Sequence, residues 1–208
     1  MILPLFPLKL VAFPNETINL HIFEPRYKQL INKCWEEKIV FGLPPIIDNQ
    51  ISYTGTSMKI EKIVKKYPNG EMDIVVKGID RFDILDFIKP DSETLFLRAE
   101  TDFIAYQQDS QYFNEDLYDL IKEFYEIIKE KFEINENAKQ SLSFYFGHKL
   151  GLEITEEFEL LQTINEKNRQ IILLTHLQSV LPILKRIEKA KIRISMNGHF
   201  KANEEFNF

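Results

Sequence analysis

The side chains able to do chemistry here are one cysteine, four histidines, a charged pair at Glu24 and Arg26, and a basic run near the C-terminus. Cys34 and His21 could form a nucleophile–base pair. Cys34, however, falls on the apolar face of a helical pattern, where a thiol is normally an inert core group. His21, His148, His176 and His199 are scattered, with no Cys or second His at ligand spacing, so no metal site is expected. Glu24 and Arg26 flank Pro25. They read either as a ligand-contacting charge pair, or as Glu24 serving first-turn amides while Arg26 ties the helix to a strand; the second reading is preferred. Lys185, Arg186, Lys189, Lys191 and Arg193 could face nucleic acid or an acidic partner, or simply complement the negative end of a helix dipole. A net charge of -6 favours the dipole reading.

Other constellations are missing. No G-x-x-x-x-G-K-[ST] loop occurs, and the seven glycines do not cluster, so no backbone cradle for a triphosphate exists. G-x-S-x-G and H-E-x-x-H are absent. The expectation is a protein with no catalytic residues, no cofactor and no metal.

Hydrophobic periodicity defines the frame around any such site. Hydrophobic residues make up 44% of 208 positions, normal for a globular chain. No apolar run approaches a membrane span. Met1–Leu10 carries Pro4 and Pro7 without a basic n-region, and is read as mature protein. A single cysteine excludes an internal disulfide and fits a cytoplasmic location.

Up to about residue 105 the pattern is mostly strand. Ile18, Leu20 and Ile22 alternate with polar neighbours, as do Met72, Ile74 and Val76. Leu95, Leu97, Ala99 and Phe103 form one face of a further strand. Tyr67-Pro68-Asn69-Gly70 is a hairpin turn, because Pro presets φ and Asn-Gly tolerates positive φ. Two strands change phase, between Ile60 and Ile63 and between Ile84 and Leu85. Phase breaks mean bulges, and repeated bends mean a closed or nearly closed barrel. One helix interrupts this half, with Pro25 at its first position and Tyr27, Leu30, Ile31, Cys34 and Trp35 on its apolar face.

The second half is helical. A polar stretch, Gln107–Gln111, is a linker. A first helix carries Leu117, Leu120, Ile121, Phe124, Ile127 and Ile128. A second runs from Asn137 to Lys149, with Gly151 placed for a left-handed cap. Thr155 is positioned to cap a third, with Glu156 and Glu157 against its positive end. A long helix starts near Asn165, with Ile171, Leu174, Leu177, Leu181, Leu184 and Ile187 on one face. Pro182 is expected to kink it.

Several segments, in order, resemble the N-terminal domain of Lon proteases, also found as free-standing small proteins. They are Leu3-Pro4-Leu5-Phe6-Pro7-Leu8, Val11-Ala12-Phe13-Pro14, Leu20 to Tyr27, Phe41-Gly42, Gly55-Thr56, and Gly78-Ile79-Asp80-Arg81-Phe82. Leu160-Leu161 and Asn168-Arg169 echo it more loosely. The resemblance covers residues 1 to about 185 and implies an α+β fold: an N-terminal β-rich PUA-like pseudo-barrel with one inserted helix, then a C-terminal α-helical bundle. The expected division is residues 1–105, 112–196 and a flexible tail at 197–208. Glu24, Pro25, Arg26, Tyr27, Gly78, Arg81 and Phe82 match the family motifs and are expected to hold the fold instead of touching substrate.

Lon proteases continue into an ATPase and a Ser-Lys peptidase, which this sequence does not contain. The resemblance therefore implies a non-catalytic domain that recognises unfolded or exposed apolar protein segments, its partners being other proteins or peptides. The 17 phenylalanines and 8 tyrosines could furnish a groove. The alternative is an RNA-binding PUA-like module, which the acidic balance disfavours. No membrane association is expected. The tail Met196-Asn197-Gly198-His199-Phe200 departs from the protease-linked pattern.

Overall fold

Strand β7 (Met72–Ile88) organises the first half, and its sequence explains why. Its first part alternates Met72, Ile74 and Val76 inward, so it can pair on both edges and bury one face. There it lies between β2 (Thr17–Ile22) and β6 (Thr54–Lys66). After Gly78 it bends, leaves β2, and pairs β8 (Arg98–Phe103) instead. The structure is a computed structural model and describes residues 1–105, 112–134 and 141–200.

The remaining strands are short: β1 (Ile2–Pro4), β3 (Phe41–Leu43), β4 (Ile46–Ile47) and β5 (Gln50–Ile51). The main sheet runs β1-β8-β7-β6-β3. It is closed by the residues after β1: Leu5 bridges Gly42 and Leu8 bridges Pro45, both in parallel. A closed circuit of this kind leaves no free edge between β1 and β3.

Register shifts fall between Ile60 and Lys62 and between Ile84 and Asp86, where the hydrophobic phase changes in the sequence. An extra residue turns the following side chains to the opposite face, and the strand bends. The hairpin between β6 and β7 is as expected. Gly70 has φ +79 and donates to the Tyr67 carbonyl. One face reading differs at both ends: Leu95 is 52% exposed with Phe96 buried in its place, and Phe103 is also exposed, so the inward face is Leu97, Ala99 and Thr101.

Helix α1 (Pro25–Glu37) starts on Pro25 and buries Tyr27, Leu30, Ile31 and Cys34 against β2, β6 and β7. Trp35, expected on that face, is 41% exposed. A second, smaller barrel core gathers Leu3, Leu5, Phe82, Ile84 and Ala99.

The helical half contains α2 (Glu115–Ile128), α3 (Leu142–Phe146), α4 (Ile154–Gln162) and α5 (Glu166–Phe200). Asn114 caps α2 through its side chain, accepting from the Leu117 amide. Ser141 caps α3. The start expected for this helix, at Asn137, lies outside the described residues, and Gly151 takes φ +79 a few residues past the helix end. The N-cap of α4 is Glu153, not Thr155, which lies inside the helix: Glu156 Oε2 accepts from the Glu153 amide at 2.8 Å, closing the first turn.

Helix α5 begins after Asn165, whose side chain accepts from the Asn168 amide. It buries Leu173, Leu177 and Leu181, while Ile171 and Ile187 face outward. The true stripe is set by Glu166, Arg169 and Gln170, buried polar residues that hydropathy alone assigns to the surface. The helix runs through Pro182 and continues to Phe200. The segment Gln107–Gln111 and residues 201–208 lie outside the described residues. Among the described residues no helix is long and apolar enough to cross a membrane.

The two halves share a core. Three consecutive residues divide between them: Ala12 belongs to the barrel, while Val11 and Phe13 are buried among the helices. The Phe13 ring stacks on Phe144 with centroids 5.0 Å apart. Gly147 lets α3 approach it, since a Cβ there would sit 2.5 Å from the ring. His148 adds a polar clamp. Its Nδ1 meets Glu157 at 2.7 Å and its Nε2 meets Glu16, in the β half, at 3.3 Å.

Burial alone pulls His148 down, but the hydrogen bonds its ring donates to Glu157 and Glu16, with their charges, outweigh it and hold the imidazolium up to about 9. Folding therefore binds this proton more tightly than the unfolded chain does. The contribution is whole below a pH of about 6.5 and is lost as pH rises through about 9. With the side chain 31% exposed, solvent screening reduces the effect to on the order of 2 kcal/mol. Urea melts at pH 7 and pH 10 should differ by about that amount more in the native chain than in His148→Gln. Equal differences would show that the clamp contributes nothing.

Candidate functional site

The family-motif residues do not gather around one concavity. Glu24 precedes α1 with extended backbone, and its carbonyl accepts from the Tyr27 and Lys28 amides. Its carboxylate does not cap. It takes Arg26 instead, with Nη2 at 2.8 Å and Nε at 2.9 Å. Arg26 therefore pairs within its own turn and not with a strand, and its guanidinium lies 4.5 Å from the centre of the Tyr27 ring. Tyr27 is buried and packs on Phe6 with centroids 4.0 Å apart.

Gly78 sits where the Phe13–Glu16 loop crosses β7. A Cβ there would lie 2.2 Å from the Phe13 carbonyl oxygen, and the Gly78 amide and carbonyl bond Glu16 and Asn15. Arg81, 8% exposed, donates to the Gln162 carbonyl at 2.6 Å and to both Asp83 oxygens at 3.1 Å. It thus spans from β7 to the end of α4. Phe82 fills the small barrel core, its ring occupying the space left by Gly42 and Gly55.

A pocket of about 530 Å³ lies elsewhere, between the end of α1 and β6, lined by Cys34, Trp35, Lys38, Ile39, Lys59 and Ile60. Its construction follows from the chain. Tyr27, Leu30, Ile31 and Cys34 already complete the buried stripe of α1, so Trp35, one residue further round, reaches the rim. Lys38 ends the helix in the left-handed region, φ 54, and swings Ile39 back so that its amide meets the Cys34 carbonyl. On β6, Ile60 points inward and Lys59 outward.

The result is an apolar concavity with an indole on one side and two ammonium groups at its edge. Burial, with Glu37 nearby and only partly offset by Lys33, pushes the Cys34 thiol up to about 12, so it is protonated at neutral pH and is no nucleophile. His21 is not its partner; it pairs with Asp73 at 2.7 Å on the surface. Among the described residues no three His, Cys, Asp or Glu side chains come together to hold a metal. What the pocket offers is binding: area for an aromatic or aliphatic side chain, and charge for a carboxylate beside it.

Sequence reasoning missed this pocket because it assigned Trp35 to the core. The signal was available: a fifth apolar residue on a face already full, followed by Lys38-Ile39.

The fold is a closed β pseudo-barrel that shares a core with a helical bundle and carries an apolar pocket beside α1. Residues 2–179 match the family model of the ATP-dependent protease La (LON) substrate-binding domain, and the chain belongs to that family. Two solved structures share the fold. A Lon N-terminal domain protein from Xanthomonas campestris superposes with a TM-score of 0.67 at 22% identity, over 84% of this chain and 98% of that one. The N-terminal domain of Mycobacterium avium complex Lon protease gives 0.61 at 15% identity, over 86% and 98%.

Proposed function

We propose that this protein is a non-catalytic protein-recognition domain that binds exposed apolar segments of unfolded chains in the pocket between α1 and β6. Membership of a substrate-binding family supports recognition as the task. The observation that carries the location is the half-exposed Trp35 beside Ile39 and Ile60, with Lys38 and Lys59 at the rim. Indole rings in such settings dominate binding energy because they bury large area at little entropic cost. We further propose that Glu24, Pro25, Arg26, Tyr27, Gly78, Arg81 and Phe82 serve the frame, since their contacts are to neighbouring turns, loops and cores. A cytoplasmic location suits the one buried, protonated thiol.

Trp35→Ala should weaken binding of reduced, carboxymethylated lactalbumin by about 30-fold, the effect of losing an aromatic anchor, with the melting temperature nearly unchanged. Fluorescence anisotropy of the labelled client measures it. Unchanged affinity would remove the pocket from the reading, and no binding by the native chain, or binding of RNA alone, would remove the reading itself.

A further inference from the structure

The last part of α5 carries a surface that the bundle does not use. Lys185 pairs with Glu123 of α2 at 2.5 Å, and Glu188 pairs with Lys129 at 3.7 Å, so these positions fix which side of α5 looks toward α2. A different side carries Ile183 and Ile187, 55% and 46% exposed, and exposed Ala190. Their spacing, four residues and then three, is that of a helix–helix seam. Beside such a seam lie Arg186, Lys191 and Arg193, with Lys189 further round. None of these four makes an ion pair among the described residues. The family match ends at residue 179, so this surface lies beyond it.

We infer that this face of α5 docks an acidic amphipathic helix of a partner protein. The isoleucine row calls for an apolar seam on the partner, and the flanking cations call for Glu or Asp beside that seam. A second copy of this chain fits badly, because a parallel or antiparallel pairing sets Arg186, Lys191 and Arg193 against one another. Nucleic acid would engage the cations and leave Ile183 and Ile187 in water. A membrane-binding helix needs a broader apolar face than two isoleucines and an alanine. The surface is separate from the Trp35 pocket, so either assignment can fail alone.

The probe is a fluorescein-labelled three-heptad peptide with Leu at the seam positions and Glu at the flanking ones; a matched peptide carries Lys in place of Glu. The full chain should bind the Glu peptide saturably and the Lys peptide at least about tenfold more weakly, with affinity falling as salt rises. Arg186→Glu/Arg193→Glu and Ile183→Asp/Ile187→Asp should each weaken binding about tenfold or more, with far-UV circular dichroism unchanged and with Trp35→Ala binding as the native chain does. Equal binding of both peptides, or retained binding in both double variants, would overturn the inference. So would a native dimer that Ile183→Asp/Ile187→Asp dissociates, or binding confined to RNA or to anionic vesicles.

Discussion

Phe13→Ala should destabilise the whole chain by about 3–5 kcal/mol, the usual cost of deleting a buried aromatic ring. Phe13 is fully buried although it lies in a loop of the β half, and its ring fills space between Phe144, Gly147 and His148. Its backbone is fixed just as firmly: the amide donates to Glu16 Oε2 at 2.9 Å and the carbonyl lies against Gly78. The site therefore cannot collapse to refill the cavity, which places the loss toward the upper part of the range. Helix content followed by circular dichroism and the β half followed by the fluorescence of Trp35, the one tryptophan, should melt together in the native chain. In Phe13→Ala the helical transition should fall first. Coincident, unshifted transitions in the variant would mean that the two halves do not depend on this ring.

Glu166→Ala should cost a comparable amount, about 3–5 kcal/mol, by a different route. Glu166 is 1% exposed and lies beside Arg169, 3% exposed, with Oε2 to Nη2 at 2.8 Å. Its carboxylate also accepts from the Ser143 amide and hydroxyl, the Ser141 hydroxyl and the Gln170 amide group. Arg169 in turn donates to the Thr163 and Ile164 carbonyls, the exposed end of α4. Removing the carboxylate leaves a buried cation and several donors without their acceptor, and that penalty exceeds the worth of the pair itself. The double variant Glu166→Leu/Arg169→Met should consequently lose less than the two single substitutions summed. Additive losses in urea melts would show that the residues are not coupled.

How much of this was legible from sequence depends on whether the relevant physics is local. The bends in β6 and β7 were, because a bulge shifts hydrophobic phase and Ile63 and Leu85 record the shift. So was the start of α1 at Pro25, where ring geometry decides. The short strands β1 and β3 were not: β3 is buried at all three residues, and β1 is exposed at Ile2 and then buried twice in succession, so neither shows alternation. Thr155 looked like a cap because its side chain can serve as one, but it lies inside α4, and Glu153 with Glu156 closes the first turn. Ile171 and Ile187 joined the wrong stripe of α5 because Glu166, Arg169 and Gln170, polar by type, are buried by their partners. The shared core was hidden most deeply. His148 and Glu16 stand 132 residues apart, and no periodicity links them. Val11-Ala12-Phe13 did stand out as a motif, and its alternating allegiance to two cores supplies a physical reason. Trp35 shows the cost of treating every apolar residue on a helix as core, since the pocket exists only because that residue is one position too far round.

The most direct test of the central claim is the emission of Trp35 during titration with reduced, carboxymethylated lactalbumin, whose binding is followed in parallel by anisotropy. Trp35 is the sole tryptophan of this chain, so 7-azatryptophan incorporated there and excited beyond the absorption of the client's tryptophans reports the pocket alone, with unlabelled client in this arm. If the pocket is the recognition site, the emission shifts to shorter wavelength and saturates at the same client concentration as the anisotropy. If the client binds while Trp35 emission stays as it is in the free protein, recognition occurs elsewhere on the domain and the assignment of the pocket is wrong.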